Sequence, residues 1–172
     1  MNEFLNLPPL RQPRKPAKAK PKMPTKYDHK KLYFDARRIM FEREYPAAWK
    51  AGEYFDGELP NILETNGHQR YMEDIINFNG YHCERVNVMG IPVKQPNGAI
   101  KWRRSGSTIG SPDLHAIVKN VTWKIEAKNK DSMRKAQIKY QDKMQRIGVL
   151  HSVIRVGELD LFWDEYYRII NL

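Results

Sequence analysis

Cysteine is nearly absent from this sequence, whose 172 residues include only one, Cys83. A single cysteine excludes an intramolecular disulfide framework and a cysteine-rich zinc site. Long apolar runs are missing too, since no stretch approaches the roughly 20 residues that a membrane-spanning helix requires. We therefore expect a cytoplasmic location and no membrane partner.

Acidic side chains are also scarce relative to basic ones. Asp and Glu number 20 against 30 Lys and Arg, which gives a formal net charge of +10 at pH 7. A charge balance this basic favours a polyanionic partner, and nucleic acid is the usual one. The alternative interpretation is a surface charge that serves solubility alone.

Residues 8–26 contain no acid at all, and prolines alternate there with lysines and arginines. Such a segment buries too little apolar surface to offset the entropy lost on ordering. We predict a disordered basic arm over 1–26, followed by a helical extension over 27–60 that packs on the main domain. The arm could bind phosphates or a partner protein, or it could be a solubilising tail.

The rest of the chain, 61–172, is predicted to form one domain in which periodic apolar segments alternate with turn residues. The pattern predicts helices at 31–44, 66–78, 133–147 and 158–167, strands at 81–88, 114–118, 121–128 and 149–156, a turn region at 89–98 and a basic, glycine-rich loop at 101–111. Asp131 or Ser132 could cap the third helix. This order predicts an α/β fold with a central mixed sheet flanked by helices.

Two short segments carry the residues of greatest chemical interest. Asp113 opens one predicted strand, and Glu126 and Lys128 lie on the next. Because alternate side chains of a strand share a face, Glu126 and Lys128 point together away from the face of Ile125 and Ala127. A hairpin between the two strands can bring Asp113 next to Glu126.

Phosphodiester hydrolysis would use such a group of residues. A hard cation such as Mg²⁺ takes oxygen ligands, which Asp113, Glu126 and the main-chain carbonyl of Ala127 could supply. Lys128 could then orient a water or stabilise the charge that develops on the phosphate. The alternative is that Glu126 and Lys128 belong to a solvated strand face, as most such triplets do.

The same residues resemble the VRR-NUC branch of the PD-(D/E)XK nucleases, including its phage-borne members. The resemblance covers roughly 62–167 and is carried by Gly110, Pro112, Asp113, Leu114, Ile125, Glu126, Ala127, Lys128, Gln137, Tyr140 and Gly148, with weaker matches at 66–67, 80 and 84–87. It implies a restriction-endonuclease-like fold, dependence on Mg²⁺ or Mn²⁺, and cleavage of DNA, often branched, junction or flap DNA in repair or recombination. A phage-encoded member would act in the cytoplasm of its bacterial host.

Gln137 extends this resemblance, whereas the first helix of the domain departs from it. Gln137 lies at the edge of a predicted apolar helix stripe, where it could contact the catalytic groups or be an amide with purely structural partners. Many family members carry a metal-binding glutamate on the first helix, but the matching positions here, Thr65 and Gln69, are not acidic. Glu73, one turn further on, could replace it, although a surface role is the favoured interpretation.

Basic residues flank the proposed site in the sequence, and as a cluster they favour DNA contact over ordinary surface charge. They are Lys101, Arg103, Arg104, Lys130, Arg134 and Lys135. The expected function is a structure-selective endodeoxyribonuclease. Its rivals are a sequence-specific restriction or homing enzyme and a non-catalytic nucleic-acid-binding protein that retains the fold. A homodimer would suit symmetric cutting of two strands.

Overall fold

A computed structural model describes residues 25–86, 91–103 and 108–172. Almost all of the predicted basic arm, 1–26, lies outside these ranges. The helices are α1 (His29–Glu44), α2 (Pro46–Lys50), α3 (Thr65–Phe78), α4 (Lys135–Arg146) and α5 (Leu159–Ile170). The strands are β1 (His82–Arg85), β2 (Ile91–Lys94), β3 (Ile100–Arg103), β4 (Leu114–Val118), β5 (Val121–Lys128) and β6 (Leu150–Arg155).

Four of these strands form the central sheet, in the order β1-β4-β5-β6. β4 pairs antiparallel with β1 and β5, whereas β5 pairs parallel with β6. The parallel pair requires a crossover, which α4 provides between β5 and β6. The prediction of a mixed α/β fold with a central mixed sheet flanked by helices is therefore confirmed.

One face of the sheet, here called the core face, carries the hydrophobic core. Trp123 and Ile125 of β5 are fully buried on this face, and the Trp123 ring stacks on Phe162 of α5 with 5.5 Å between ring centroids. Helices α3 and α1 add further buried side chains to the same core, among them Met72 and Tyr33. Each large apolar side chain buried in this way contributes about 1.5–3 kcal/mol.

The opposite face, here called the polar face, is covered by α4 at β6. Tyr140 of α4 lies 6.3 Å from the ring of His151, and Met144 is 9% exposed. The helix predicted at 133–147 is shorter than expected, because Ile147 follows α4 and is 64% exposed rather than packed on the sheet. The predicted caps, Asp131 and Ser132, are also wrong. Arg134 is the N-cap of α4, and its N–H donates to the side chain of Gln137.

A hairpin of β2 and β3 replaces the turn region and loop predicted for much of 89–111. Its turn is closed by the N–H of Gln95, which donates to the carbonyl of Ala99 at 2.7 Å, and by Gly98 at φ +80°. Pro92 lies within β2 and obscured the strand in the sequence, although a two-stranded hairpin has free edges that accept proline. Pro46 occupies the first turn of the short helix α2, where proline is well tolerated.

None of the helices in the described ranges has both the length and the apolar character needed to cross a bilayer.

Candidate active site

Asp113 and Glu126 lie next to each other on the polar face, as expected if β4 and β5 form a hairpin. Asp113 precedes β4, and its carboxylate Oδ2 accepts a hydrogen bond of 2.9 Å from the backbone N–H of Ala127. Its own carbonyl accepts from the N–H of Val86 at 2.8 Å, which fixes the backbone beside β1. Glu126 lies on β5 and is only 2% exposed. The expectation of a solvated strand face therefore does not describe this carboxylate.

Burial dominates the electrostatics of both carboxyl groups. Desolvation, followed by the negative charge of Asp113, raises the pKa of Glu126 from 4.5 to about 7, against the opposing effects of Lys128 and Gln137. Burial also raises the pKa of Asp113, although the hydrogen bond from the N–H of Ala127 acts in the opposite direction. Two neighbouring acids whose charged forms are both disfavoured would gain from a positive charge placed between them.

Lys128 is the cation nearest to this pair. It is 6% exposed, and its Nζ lies 3.1 Å from Oε1 of Glu126 and 3.5 Å from Oδ2 of the exposed Asp131. An ammonium buried to this degree is expensive unless it is paired. The strand alternation thus brings Glu126 and Lys128 together as predicted, and α4 encloses them.

Gln137 joins the two charged groups through its side-chain amide. The Nε2 group donates to Oε1 of Glu126, and Oε1 accepts from Nζ of Lys128 at 3.1 Å and from the N–H of Arg134 at 2.9 Å. These partners assign the orientation of the amide. Gln137 therefore caps the start of α4 and contacts the buried pair at the same time.

Gly110 allows the loop before Asp113 to lie against the start of α4. Its φ is +86°, and a Cβ built on it would lie 2.4 Å from the carbonyl oxygen of Ala136. Any larger residue would force the loop and the helix apart. The glycine that carries part of the family resemblance thus has a local packing reason.

Glu73 takes no part in this group of residues. Its Oε2 accepts from Nε of Arg85 at 2.9 Å, and Arg85 also donates to the carbonyl of Asn66. Gln69, one turn earlier on α3, is instead the helix side chain near enough to Asp113 to lower the pKa of its carboxyl group. The sequence interpretation treated Gln69 only as a missing acid, and no periodicity in the sequence reveals its contact with Asp113.

The predicted DNA-binding residues lie in different parts of the molecule. Lys130, Arg134 and Lys135 are exposed between β5 and α4, close in sequence to the buried pair, and none of them has an ion-pair partner within the described ranges. Lys101 is exposed on β3, which belongs to the two-stranded sheet and not to the central one. The Arg103 side chain and all of Arg104 lie outside the described part of the chain.

The donors available to a metal ion are few. In the described ranges, no cluster of three or more His, Cys, Asp and Glu side chains is arranged to hold one. Asp113 and Glu126 thus offer two carboxylates, to which only a main-chain carbonyl such as that of Ala127 can be added. No family model matches the chain, and neither a curated protein nor a solved structure matches it.

Proposed function

We propose that the chain is a metal-dependent endonuclease that hydrolyses DNA phosphodiester bonds, with the restriction-endonuclease-like fold and the PD-(D/E)XK type of active site. The proposal depends chiefly on one observation: the carboxylate of Asp113 is held on the backbone N–H of Ala127, next to Glu126 in β5, and the buried ammonium of Lys128 pairs with Glu126. Such a pair is costly for folding alone, so a catalytic role is a reason to keep it.

The residues present fit Mg²⁺ or Mn²⁺. Mg²⁺ commonly binds through one or two carboxylates and completes its shell with waters and substrate phosphate, so the small donor set is adequate. Asp113, Glu126 and the carbonyl of Ala127 would hold the cation. When bound, it would polarise a phosphoryl oxygen and offset the charge that builds up on the phosphate during hydrolysis.

The chain's own side chains would orient and stabilise the reacting phosphate. Lys128 lies beside Glu126 and can donate one hydrogen bond to an oxygen of the phosphate or of the attacking water. Gln137 fixes the position of Lys128 through its Oε1 and that of Glu126 through its Nε2. Loss of Gln137 would therefore displace both groups rather than remove a reacting one.

Two further observations support DNA as the substrate and a branched substrate in particular. The formal charge of +10 and the exposed Lys130, Arg134 and Lys135 beside the site suit a polyanion. The resemblance to VRR-NUC nucleases adds the preference for branched, junction or flap DNA in recombination or repair. A homodimer remains part of the proposal because two strands must be cut at a junction.

A cleavage assay with matched acid-to-amide variants tests the proposal. Plasmid, linear duplex, flap and four-way-junction DNA would be incubated with the full chain in Mg²⁺, Mn²⁺ or EDTA. We expect metal-dependent cleavage that Asp113→Asn and Glu126→Gln abolish without loss of DNA binding. Asp142→Asn removes an exposed carboxylate of α4 and should cleave normally. DNA binding without cleavage of any substrate would instead favour the non-catalytic binding protein.

A further inference from the structure

A row of ionisable side chains crosses the sheet next to the carboxylate pair. His115 on β4 lies opposite Lys124 on β5, and Lys124 lies opposite His151 on β6. Glu84 on β1 lies opposite His115 and ends the row. Because alternate residues of a strand share a face, the row lies on the polar face, two residues or about 7 Å along β5 from Glu126.

This part of the polar face is open at β1 and β4. α4 covers the row only at β6, where Tyr140 lies against His151. On β4, Ile117 belongs to the same face and is 43% exposed, and Lys124 is only half-buried. A ligand can therefore approach the row from the side of β1 and β4.

The ammonium of Lys124 and the imidazole of His151 form few ion pairs or hydrogen bonds with other side chains in the described ranges. Lys124 forms no ion pair with any carboxylate in the described ranges. His151 is 7% exposed, and its Nδ1 has no hydrogen-bond partner there. The single acid, Glu84, lies 3.5 Å from Nδ1 of His115 and has a 59% exposed side chain. Since polar atoms in native proteins are nearly always paired, a ligand with oxygen acceptors could pair the ammonium of Lys124 and the imidazole of His151.

We propose that His115, Lys124 and His151 form a binding site for a phosphate group, namely a phosphodiester of bound DNA next to the one held at Asp113 and Glu126. The inference rests on the proposed nuclease function. Lys124 supplies a positive charge, and His151 and the Nε2 side of His115, which does not face Glu84, can supply N–H donors; together these match the oxygens of a phosphodiester. Contacts of this kind fix the register of a strand without reading its sequence.

Salt-dependent DNA binding tests this site without any cleavage. Binding of a fluorescein-labelled duplex to the full chain would be followed by anisotropy in EDTA, over a series of salt concentrations. Each phosphate contact contributes about 0.9 to the slope of log affinity against log salt. We expect Lys124→Gln to weaken binding about tenfold and to reduce the slope by about 0.9, and Lys124→Arg to restore most of both.

Lys139→Gln is the matched control, because it removes the same charge from an exposed position of α4. It should leave the slope unchanged. The site is refuted if Lys124→Gln keeps the wild-type slope, or if both substitutions reduce it equally, which would indicate a diffuse effect of charge. If thermal melting shows that Lys124→Gln does not fold, His115→Ala on the open part of the polar face replaces it, and wild-type affinity in that variant refutes the site.

Duplexes with and without a 5′-phosphate separate the two sources of the phosphate. An effect of Lys124→Gln on both duplexes supports an internal phosphodiester, whereas an effect confined to the 5′-phosphorylated duplex overturns that assignment in favour of a terminal phosphate. The result is independent of the cleavage assay, since loss of cleavage in Glu126→Gln tests the nuclease and the salt slope of Lys124→Gln tests the row.

Discussion

On the core face of β5, Trp123 and Ile125 are fully buried among apolar side chains, whereas on its polar face Glu126 and Lys128 are almost as inaccessible, at 2% and 6% exposed. Both faces exclude water, but only the core face gains free energy from doing so. On the polar face, hydrogen bonds and ion pairs only offset the cost of burying charge. The core face therefore stabilises the fold, whereas the burial of charge on the polar face costs part of that free energy.

The difference between the faces explains why α4 carries so much of the site. The side chain of Gln137 accepts a hydrogen bond from the backbone N–H of Arg134 and also contacts both buried charges, Glu126 and Lys128. Removal of either charge would leave an unpaired group in a water-excluded place, which costs more than the loss of a surface pair. The polar face is thus specified by a few connected hydrogen bonds, and the core face by packing volume.

Trp123→Ala should have the largest effect, because it empties the centre of the core face. We expect the free energy of unfolding to fall by about 3–5 kcal/mol, the usual range for a large aromatic residue replaced by alanine in a core. Urea denaturation would measure it. Ile117→Ala on the open part of the polar face should cost less than about 1 kcal/mol. Equal losses in the two variants would remove the distinction between the faces.

His68, which is buried on the side of the core, should make the free energy of unfolding depend on pH. It is fully buried on α3, and both ring nitrogens lack hydrogen-bond partners within the described ranges. Burial lowers its pKa from 6.5 to about 4, so the unfolded chain binds a proton that the folded chain refuses between those values. Its contribution to stability is complete above pH 6.5 and is lost as the pH falls towards 4, by about 3 kcal/mol at most.

Denaturation curves at pH 7 and at pH 4.5 measure this effect. His68→Phe should lose less stability on acidification than wild type, whereas His82→Gln, at an exposed histidine of β1, should behave as wild type. An identical loss in wild type and His68→Phe would show that another group controls the acid limb.

Lys128→Ala should lower the single-turnover cleavage rate at least a hundredfold, which corresponds to about 2.7 kcal/mol of transition-state stabilisation. The reason is that its ammonium is the only side-chain cation paired with Glu126 in the described ranges. Single-turnover cleavage with enzyme in excess measures the rate. Lys128→Arg should also be slow, because a guanidinium differs in shape and hydrogen-bonding geometry. Lys139→Ala, at an exposed position of α4, is the control and should cleave at the wild-type rate. Wild-type cleavage by Lys128→Ala would show that Lys128 serves only stability.

Deletion of residues 1–24 should have the smallest effect on the folded domain. The next residues are fixed to α5, since the hydroxyl of Tyr27 donates to Asp164 at 2.6 Å and the N–H of Lys26 donates to Asp160 at 2.8 Å. We expect unchanged melting and cleavage but a lower salt slope of DNA binding. The deleted segment carries Arg11, Arg14, Lys15, Lys18, Lys20 and Lys22. An unchanged slope would assign the arm to solubility or a protein partner.

Local patterns in the sequence predicted the regular part of the fold well. β4 and β5 have the predicted bounds, 114–118 and 121–128, because alternating side chains and the Lys119-Asn120 turn are short-range signals. The β2–β3 hairpin was missed because its strands are short and contain Pro92. α2 was missed for a similar reason, since a five-residue helix has too few turns to show a periodicity.

The sequence predicted that Asp113, Glu126 and Lys128 lie on one face of the sheet, but it did not predict their environment. Alternation along β5 places Glu126 and Lys128 on one face, and the hairpin brings Asp113 to them. The burial of both charges was not predictable, because it depends on where α4 packs after the crossover. The contact of Gln69 with Asp113 was missed too, since it joins two segments separated by more than forty residues.

The pairing of Asp113 with Glu126 as a cation site can be tested most directly by Mn²⁺ binding, which requires no knowledge of the DNA substrate. Calorimetric titration of the full chain at pH 7.5 should detect a binding site for Mn²⁺ in the wild type. Asp113→Asn and Glu126→Gln should each weaken the affinity at least tenfold while Asp142→Asn leaves it unchanged. If the amide variants bind Mn²⁺ as tightly as the wild type, the two carboxylates do not form the metal site and the nuclease proposal loses its chief support.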